Sequence, residues 1–392
     1  SPGMNRPAGF AFGLNRPASV LAAQYFLYFG VLGVFLPYFN LYLHRIGFSG
    51  LQIGTLSALR SLCLMLFPVF WSALADRFEI RRPLFIACST ISATIWGFYL
   101  LTTDFWPMVA ITLAYGIFFS PLISFMEAFT MDVLGGEKRR YGQVRVWGTG
   151  AFIAVVLIMG RVIDRYPIDI VVVLIFFGAL MSAAVALKVP RPSRPGRTGL
   201  AGGVRGLLSV RLAVFLACGV LMLMSHGTYY GFFSIHLADL GYSSTFIGIA
   251  WALAPAAEVI VMLGSSRIFG RFAVERVLVF SFGAAALRWL ILALTAHPAI
   301  ILVSQLAHAF TYGAFHVASI LYIDRLAPAA AKTVGQAVNN AVTYGLGMML
   351  GFYLNGWLYE RVGGFALFAG SGAAALVGGV LLGAFFRRDQ VA

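Results

Sequence analysis

The chain has 392 residues, of which 60% are hydrophobic and only 11% charged, and it carries a formal net charge of +14. Ordinary soluble domains are roughly a quarter charged, so the composition excludes a soluble globular protein, and the basic excess does not point to nucleic acid because no soluble domain is left to carry a basic face. The three cysteines, Cys63, Cys88 and Cys218, each lie in an apolar stretch without CxxC or Cys/His spacing, which excludes a disulfide framework and a zinc site; no metal and no cofactor is expected.

Ser1, Pro2 and Gly3 precede Met4 and look like the remnant of a cleaved tag, so residues 1–17 are read as that remnant plus a cytoplasmic N-terminus. Apolar windows long enough to cross a bilayer, about 20 residues each, follow at 18–43, 50–74, 83–103, 106–130, 144–164 and 168–188. The polar stretch from Lys188 to Arg211 holds Pro190, Pro192, Pro195 and five arginines and reads as a linker over 189–211. A second six windows lie at 212–238, 244–268, 274–296, 298–324, 333–358 and 363–386, ahead of a short tail, 387–392. The expected fold class is an all-α membrane protein of twelve transmembrane helices in two six-helix bundles, 18–188 and 212–386.

Basic loop residues set the orientation. With both termini cytoplasmic, 21 of the 28 lysines and arginines fall on the cytoplasmic side, and Arg45, Arg161, Arg165 and Arg361 on the other. Arg60, Arg145 and Arg288 lie inside helices. The high pI is therefore a by-product of membrane insertion, and lipid is an expected partner.

The two halves echo one another. Gly47-Phe48-Ser49, Ile53-Gly54 and Ala58 in the first half correspond to Gly241-Tyr242-Ser243, Ile247-Gly248 and Ala252 in the second, every position displaced by 194 residues. Asp132 ahead of Gly142-Gln143 is matched by Asp324 ahead of Gly335-Gln336. Duplication of this kind is how many transporters are built, with the substrate between the repeats.

Five charges fall within or just inside the predicted spans: Arg60, Glu127, Arg145, Glu258 and Arg288. An ionised side chain at the bilayer centre costs at least about 2.5 kcal/mol, so such residues face a cavity or a partner. His308 and His316 stand eight residues apart, about 80° around a regular helix, close enough to share one cavity. His226 earns a weaker interest.

The 6+6 pattern with a basic linker resembles the major facilitator superfamily. Ser72-Ala73-Leu74-Ala75-Asp76-Arg77, followed by Arg81-Arg82, is similar to that superfamily's loop signature between helices 2 and 3, with Ser72 in place of a glycine and one extra residue before Arg81. The resemblance implies a gating role for Asp76, Arg77, Arg81 and Arg82 on the cytoplasmic face. Tyr141-Gly142-Gln143-Val144-Arg145-Val146-Trp147-Gly148, together with Gln305-Leu306-Ala307-His308 and His316, resembles the phenylpropionate permease branch, which is related to lactose permease and the nucleoside:proton symporters. The aromatic first helix (Tyr25, Tyr28, Phe29, Pro37, Tyr42) is similar as well.

That resemblance implies a proton-coupled symporter for a small organic solute, working by alternating access. Glu127 and Arg145 match substrate-binding positions, to which Tyr28, Tyr312 and His316 are added; Glu258, Arg288 and His308 match the proton-coupling group. One departure stands out: the position one turn after His308 is Thr311, where lactose permease has a glutamate, so any coupling proton sits elsewhere, and Glu258 is the expected carrier. An aromatic carboxylate suits Arg145 and the aromatic side chains, while a sugar or a nucleoside would use the same groups. A proton-driven efflux antiporter, or more remotely a membrane-embedded enzyme or a sensor, are the alternatives. The protein is expected to be a monomer in a bacterial inner membrane, with protons and a small molecule as partners and no nucleic acid.

Overall fold

A computed structural model describes residues 14–135, 138–191, 209–328 and 331–389. Most of the expected linker, 192–208, and the ends of the chain lie outside the described residues. In chain order the helices are α1 (Arg16–Arg45), α2 (Gly50–Phe78), α3 (Arg81–Gly97), α4 (Phe105–Phe119), α5 (Leu122–Val133), α6 (Lys138–Ile163) and α7 (Ile170–Ala186) in the first half. The second half has α8 (Val210–Asp239), α9 (Ser244–Arg271), α10 (Val274–Leu294), α11 (Pro298–Leu306), α12 (Phe315–Leu326), α13 (Lys332–Asn339) and α14 (Gly347–Asp389). No strand occurs among the described residues.

Several of these helices run end to end. α4 and α5 form one span, Phe105–Val133. A π-helical turn, Ala309–Ala314, joins α11 to α12, and a second, Asn340–Leu346, joins α13 to α14. Gly363, at φ 74°, breaks α14 into two helices. Among the described residues ten helical stretches are long and apolar enough to cross a membrane, with Ile170–Ala186 a shorter apolar helix. Their outer faces carry large apolar side chains open to the surroundings, such as Leu263, Leu294 and Trp106. Helices of this length with such outer faces fit a lipid surround, and the chain is an integral, multi-pass membrane protein.

The repeat in the sequence is one turn built twice. α1 and α8 each end just before a glycine in the left-handed region, Gly47 (φ 99°) and Gly241 (φ 85°), which a side chain would strain. Ser49 and Ser243 then cap α2 and α9 with matching backbone angles (φ −68°, ψ 157° and φ −68°, ψ 158°), their hydroxyls accepting the N–H of Gln52 and of Phe246.

Between the halves, α2 packs on α14 and α6 on α9, and the first contact is close because it is made by glycines. A Cβ on Gly54 would sit 2.5 Å from the Phe352 carbonyl oxygen and 2.8 Å from the Gly356 Cα. Hydrogen bonds reinforce the same end. The Asp164 carboxylate, one residue past α6, accepts the backbone N–H of Ser244 (2.7 Å) and of Thr245 (2.9 Å) and the Thr245 hydroxyl (2.6 Å) in the first turn of α9. Glu360, in the matching place before the α14 break, accepts the Gly50 N–H at the start of α2 (3.0 Å). His44 lies 3.4 Å from Asp239, and Tyr38 donates to the carbonyls of Val156 and Ser244. Among the described residues, the hydrogen bonds between halves gather at this sealed end and on Asn40, which donates to the Gly231 carbonyl (3.0 Å). At the opposite, basic end Arg81, Arg82, Arg325 and Lys332 each bond within their own half.

Candidate functional site

A cavity of ≈ 430 Å³ lies between the halves. The first half contributes Tyr28, Phe35, Arg60, Tyr115 and Phe119 to its wall, and the second half Tyr230, Tyr312, Asn340, Tyr344 and Phe352. The rings are locked against one another: Tyr28 and Tyr115 both stack on Phe119, with centroids 5.3 and 4.9 Å apart. Both π turns open on this space, since Tyr312 lies in one and Asn340 and Tyr344 in the other. Wide turns of this kind re-aim side chains and recur at functional sites.

Behind the second-half wall lies a chain of hydrogen bonds. Arg288, 1% exposed, donates from Nη1 to His308 Nδ1 (2.7 Å) and Thr311 Oγ1 (3.3 Å), and from Nη2 to Gln305 Oε1 (2.7 Å). Its guanidinium rests on Tyr229 and Trp289, 4.5 and 4.6 Å from the ring centroids. A guanidinium can only donate, so Nδ1 of His308 is bare and its proton sits on Nε2. That Nε2–H points to Glu258 Oε1 at 2.9 Å, with the Tyr230 hydroxyl 3.3 Å away. His308 is therefore neutral, and its contact with Glu258 is a hydrogen bond rather than an ion pair. Glu258, Arg288 and His308 thus form one unit on α9, α10 and the end of α11.

Thr311, the departure seen in the sequence, carries this chain further. Accepting from Arg288, it hands its own hydroxyl hydrogen to His226 Nε2 (3.4 Å), while His226 Nδ1 donates to the Met222 carbonyl (2.9 Å). The regular-helix estimate for His308 and His316 needs correcting. The π turn between them widens the helix, so that Tyr312 stacks on both histidines, with centroids 5.3 and 6.3 Å away and planes within 9° and 7°. The three rings stand in line instead of about 80° apart. His316 Nδ1 then meets the Tyr344 hydroxyl at 2.7 Å.

Tyr28, Arg60 and Tyr312, of the residues read from the sequence, reach the cavity wall directly. Arg145 lies over the rings of Phe29 (4.1 Å) and Tyr25 (5.3 Å), with its charge acting on Glu127 and Tyr28. At the basic end Arg81 bridges Asp76 (3.3 Å) and Asp132 (3.2 Å). Arg82 instead donates to the carbonyls of Leu187 and Val189 past the end of α7, and Arg77 lies over Phe78. Their echo in the second half is Lys332 on Asp324 (2.6 Å), with Arg325 on Glu275 nearby. Sequence reading gave no role to Gln305 or Tyr230; Gln305, one turn before His308, could have been found from that spacing, whereas nothing local marks Tyr230. Among the described residues no group of three metal-ligating side chains occurs.

Comparisons with known proteins agree with this architecture. The model of the MFS_1 like family matches residues 19–369. The chain is 27% identical over 351 residues to the probable 3-phenylpropionic acid transporter of Escherichia coli (strain K12), covering 88% of this chain and 91% of that protein. It is 26% identical over 395 residues to the maltose permease of Geobacillus stearothermophilus, with 98% of each covered. The crystal structure of the nucleoside transporter NupG superposes with a TM-score of 0.85 over 95% of this chain and 99% of that one, at 17% identity, and shows the shared fold.

Proposed function

This chain belongs to the MFS_1 like family and is a major facilitator transporter, and we propose that it is a proton-coupled symporter for a small aromatic carboxylate. The observation that carries the coupling half of this reading is the Glu258–His308–Arg288 unit beside the cavity. A carboxyl at membrane depth is tolerated when neutral or when facing a partner charge. Its immediate partner here, His308, is neutral because Arg288 occupies Nδ1, so Glu258 is the group free to gain and lose a proton. Tyr230 and Tyr312 belong both to this unit's surroundings and to the cavity wall, which gives a bound solute a way to favour one protonation state over the other.

The substrate half rests on the wall, which is aromatic and carries an arginine. If the basic end faces the cytoplasm, as the distribution of arginines and lysines favours, the halves are pinned on the outside and the cavity belongs to an inward-facing state of an alternating-access cycle. Glu127, Arg145 and His316, close behind the wall, would join the site as the halves rock.

The test is uptake by proteoliposomes under an imposed pH gradient, with 3-phenylpropionate, maltose and uridine as candidate solutes and intravesicular pH as the second readout. Accumulation of the aromatic acid together with proton entry supports the reading. Accumulation of maltose or uridine alone would replace the substrate class, and proton exit during solute entry would make the protein an antiporter.

A further inference from the structure

We propose that Arg60 is the anchor for the substrate's carboxylate. This deepens the reading above and rests on it. Arg60 stands ten residues into α2, about 15 Å along the helix at 1.5 Å per residue, which is half of a hydrocarbon core about 30 Å thick. A full positive charge at that depth needs a reason. Glu258, Asp76, Asp132 and Asp164 have partners elsewhere, and among the described residues no carboxylate lies within ion-pair distance of Arg60. What surrounds the guanidinium is aromatic. It lies 4.1 Å over the Phe35 ring, with the Tyr115 and Tyr99 hydroxyls in electrostatic range, and the Tyr99 hydroxyl is already engaged with Thr112 (2.6 Å).

A face-on contact with Phe35 holds the guanidinium plane but uses none of its five N–H donors. The fork of a guanidinium matches the two oxygens of a carboxylate. Arg60 is half-buried and in the cavity wall, and it is the charged residue of that wall among the described residues. Arg288, by contrast, is sealed off with both of its terminal nitrogens engaged, and Arg145 is absent from the wall of this state and stacked on Phe29. The cavity thus places one unneutralised cation at the edge of a space walled by Tyr28, Tyr115 and Phe119 on one side and Tyr230 and Tyr312 on the other. At ≈ 430 Å³ it takes a single aromatic ring with a short acidic side arm. The ring would stack in the cage while the carboxylate forks onto Arg60.

One consequence concerns charge. A monocarboxylate entering with one proton on Glu258 carries no net charge, so the loaded carrier moves without work against the membrane potential.

Arg60→Gln and Arg60→Lys, purified in detergent and compared with the parent by calorimetry, decide the matter with paired ligands: 3-phenylpropionate and its neutral amide. In the parent the acid binds and the amide binds more weakly. Arg60→Gln should weaken the acid roughly a hundredfold, the loss expected when one partner of a desolvated charge pair is removed, while leaving the amide unchanged; Arg60→Lys should restore part of the difference. Equal loss for acid and amide, or an unchanged acid in Arg60→Gln, overturns the assignment while leaving the aromatic-acid reading in place, and Arg145→Gln run alongside shows whether the anchor lies there instead. A parent that binds maltose or uridine and no aromatic acid removes both the reading and the anchor. Thermal unfolding of each variant separates loss of binding from loss of fold.

Discussion

His308 donates its Nε2 proton to Glu258 across 2.9 Å because Arg288 already occupies its other nitrogen. The direction of that hydrogen bond makes Glu258 the acceptor of the pair and the place where a further proton can go. Replacing Glu258 with Gln holds the group neutral at nearly constant size. The expected result is loss of pH-driven accumulation in proteoliposomes with counterflow exchange of labelled solute retained. Accumulation at the parent's proton stoichiometry would move the carrier to another group.

Arg288 sets the tautomer of His308, and a lysine in its place supplies a point charge that cannot serve Gln305 and His308 together. Arg288→Lys should leave a buried acceptor unpaired and lower stability by about 1–3 kcal/mol, read as a drop in the midpoint of thermal unfolding. It should also free His308 Nδ1 to bind a proton, so that uptake acquires a new dependence on pH. An unchanged pH profile would show that Arg288 is structural.

At the sealed end, Asp164 is held below the usual carboxylate range: burial pushes it up, but the hydroxyl of Thr245 and the backbone N–H groups of Thr245 and Ser244 outweigh that. Because the shift is downward, the bond contributes fully above the carboxyl's value in the opened state, about 3.9, and fades as pH falls through its lower value in the closed state. Asp164→Ala removes a first-turn helix cap, a change of about 1 kcal/mol. A several-fold rise in labelling of a cysteine placed at Ser57, buried near this end, should follow at neutral pH in a background without Cys63, Cys88 and Cys218. Equal labelling with and without Asp164 would count against the seal.

Gly54 has no room for a side chain while this end is closed. Gly54→Ala should therefore hold the halves apart here, slowing transport at least tenfold with little change in thermal stability, because the strain exists only in the closed state. If Gly54→Ala transports normally, α2 and α14 can slide to relieve it.

Much of this molecule was readable from its residues. Glycine at 47 and 241 and serine at 49 and 243 mark turns whose geometry depends on those residue types alone, so the repeat was visible before any coordinates. Glu258 and Arg288 could be singled out because a charge in lipid demands a partner, and His308 by its spacing from His316 and by the resemblance. Arg60 drew the same attention without a role, since the role depends on Phe35, Tyr115 and a wall supplied by the other half, none of which is local to it. The π turns were not read: Ala309–Ala314 holds Gly313 and Asn340–Leu346 holds Gly345, but an isolated glycine inside a helical pattern does not tell a widened turn from regular helix, and only packing reveals the turn in which Tyr312 stacks on His308 and His316. Asp164 and Glu360 were given no role, although each stands at the end of a helix that packs on the other half, a symmetry that could have paired them.

That symmetry bears on how sharply the protein switches. Asp164 holds the first residue of α9 and Glu360 the first residue of α2, the two positions equivalent under the 194-residue offset. A rigid half that rocks away from the other at this end lets go of both at once, so the two free energies add and the populations multiply. If each clasp shifts the balance about fivefold, for about 1 kcal/mol, together they shift it about twenty-five-fold, and a double variant should show the product of the single effects. Two modest clasps thus give a two-position device a steep threshold, with no single bond strong enough to trap it in either position.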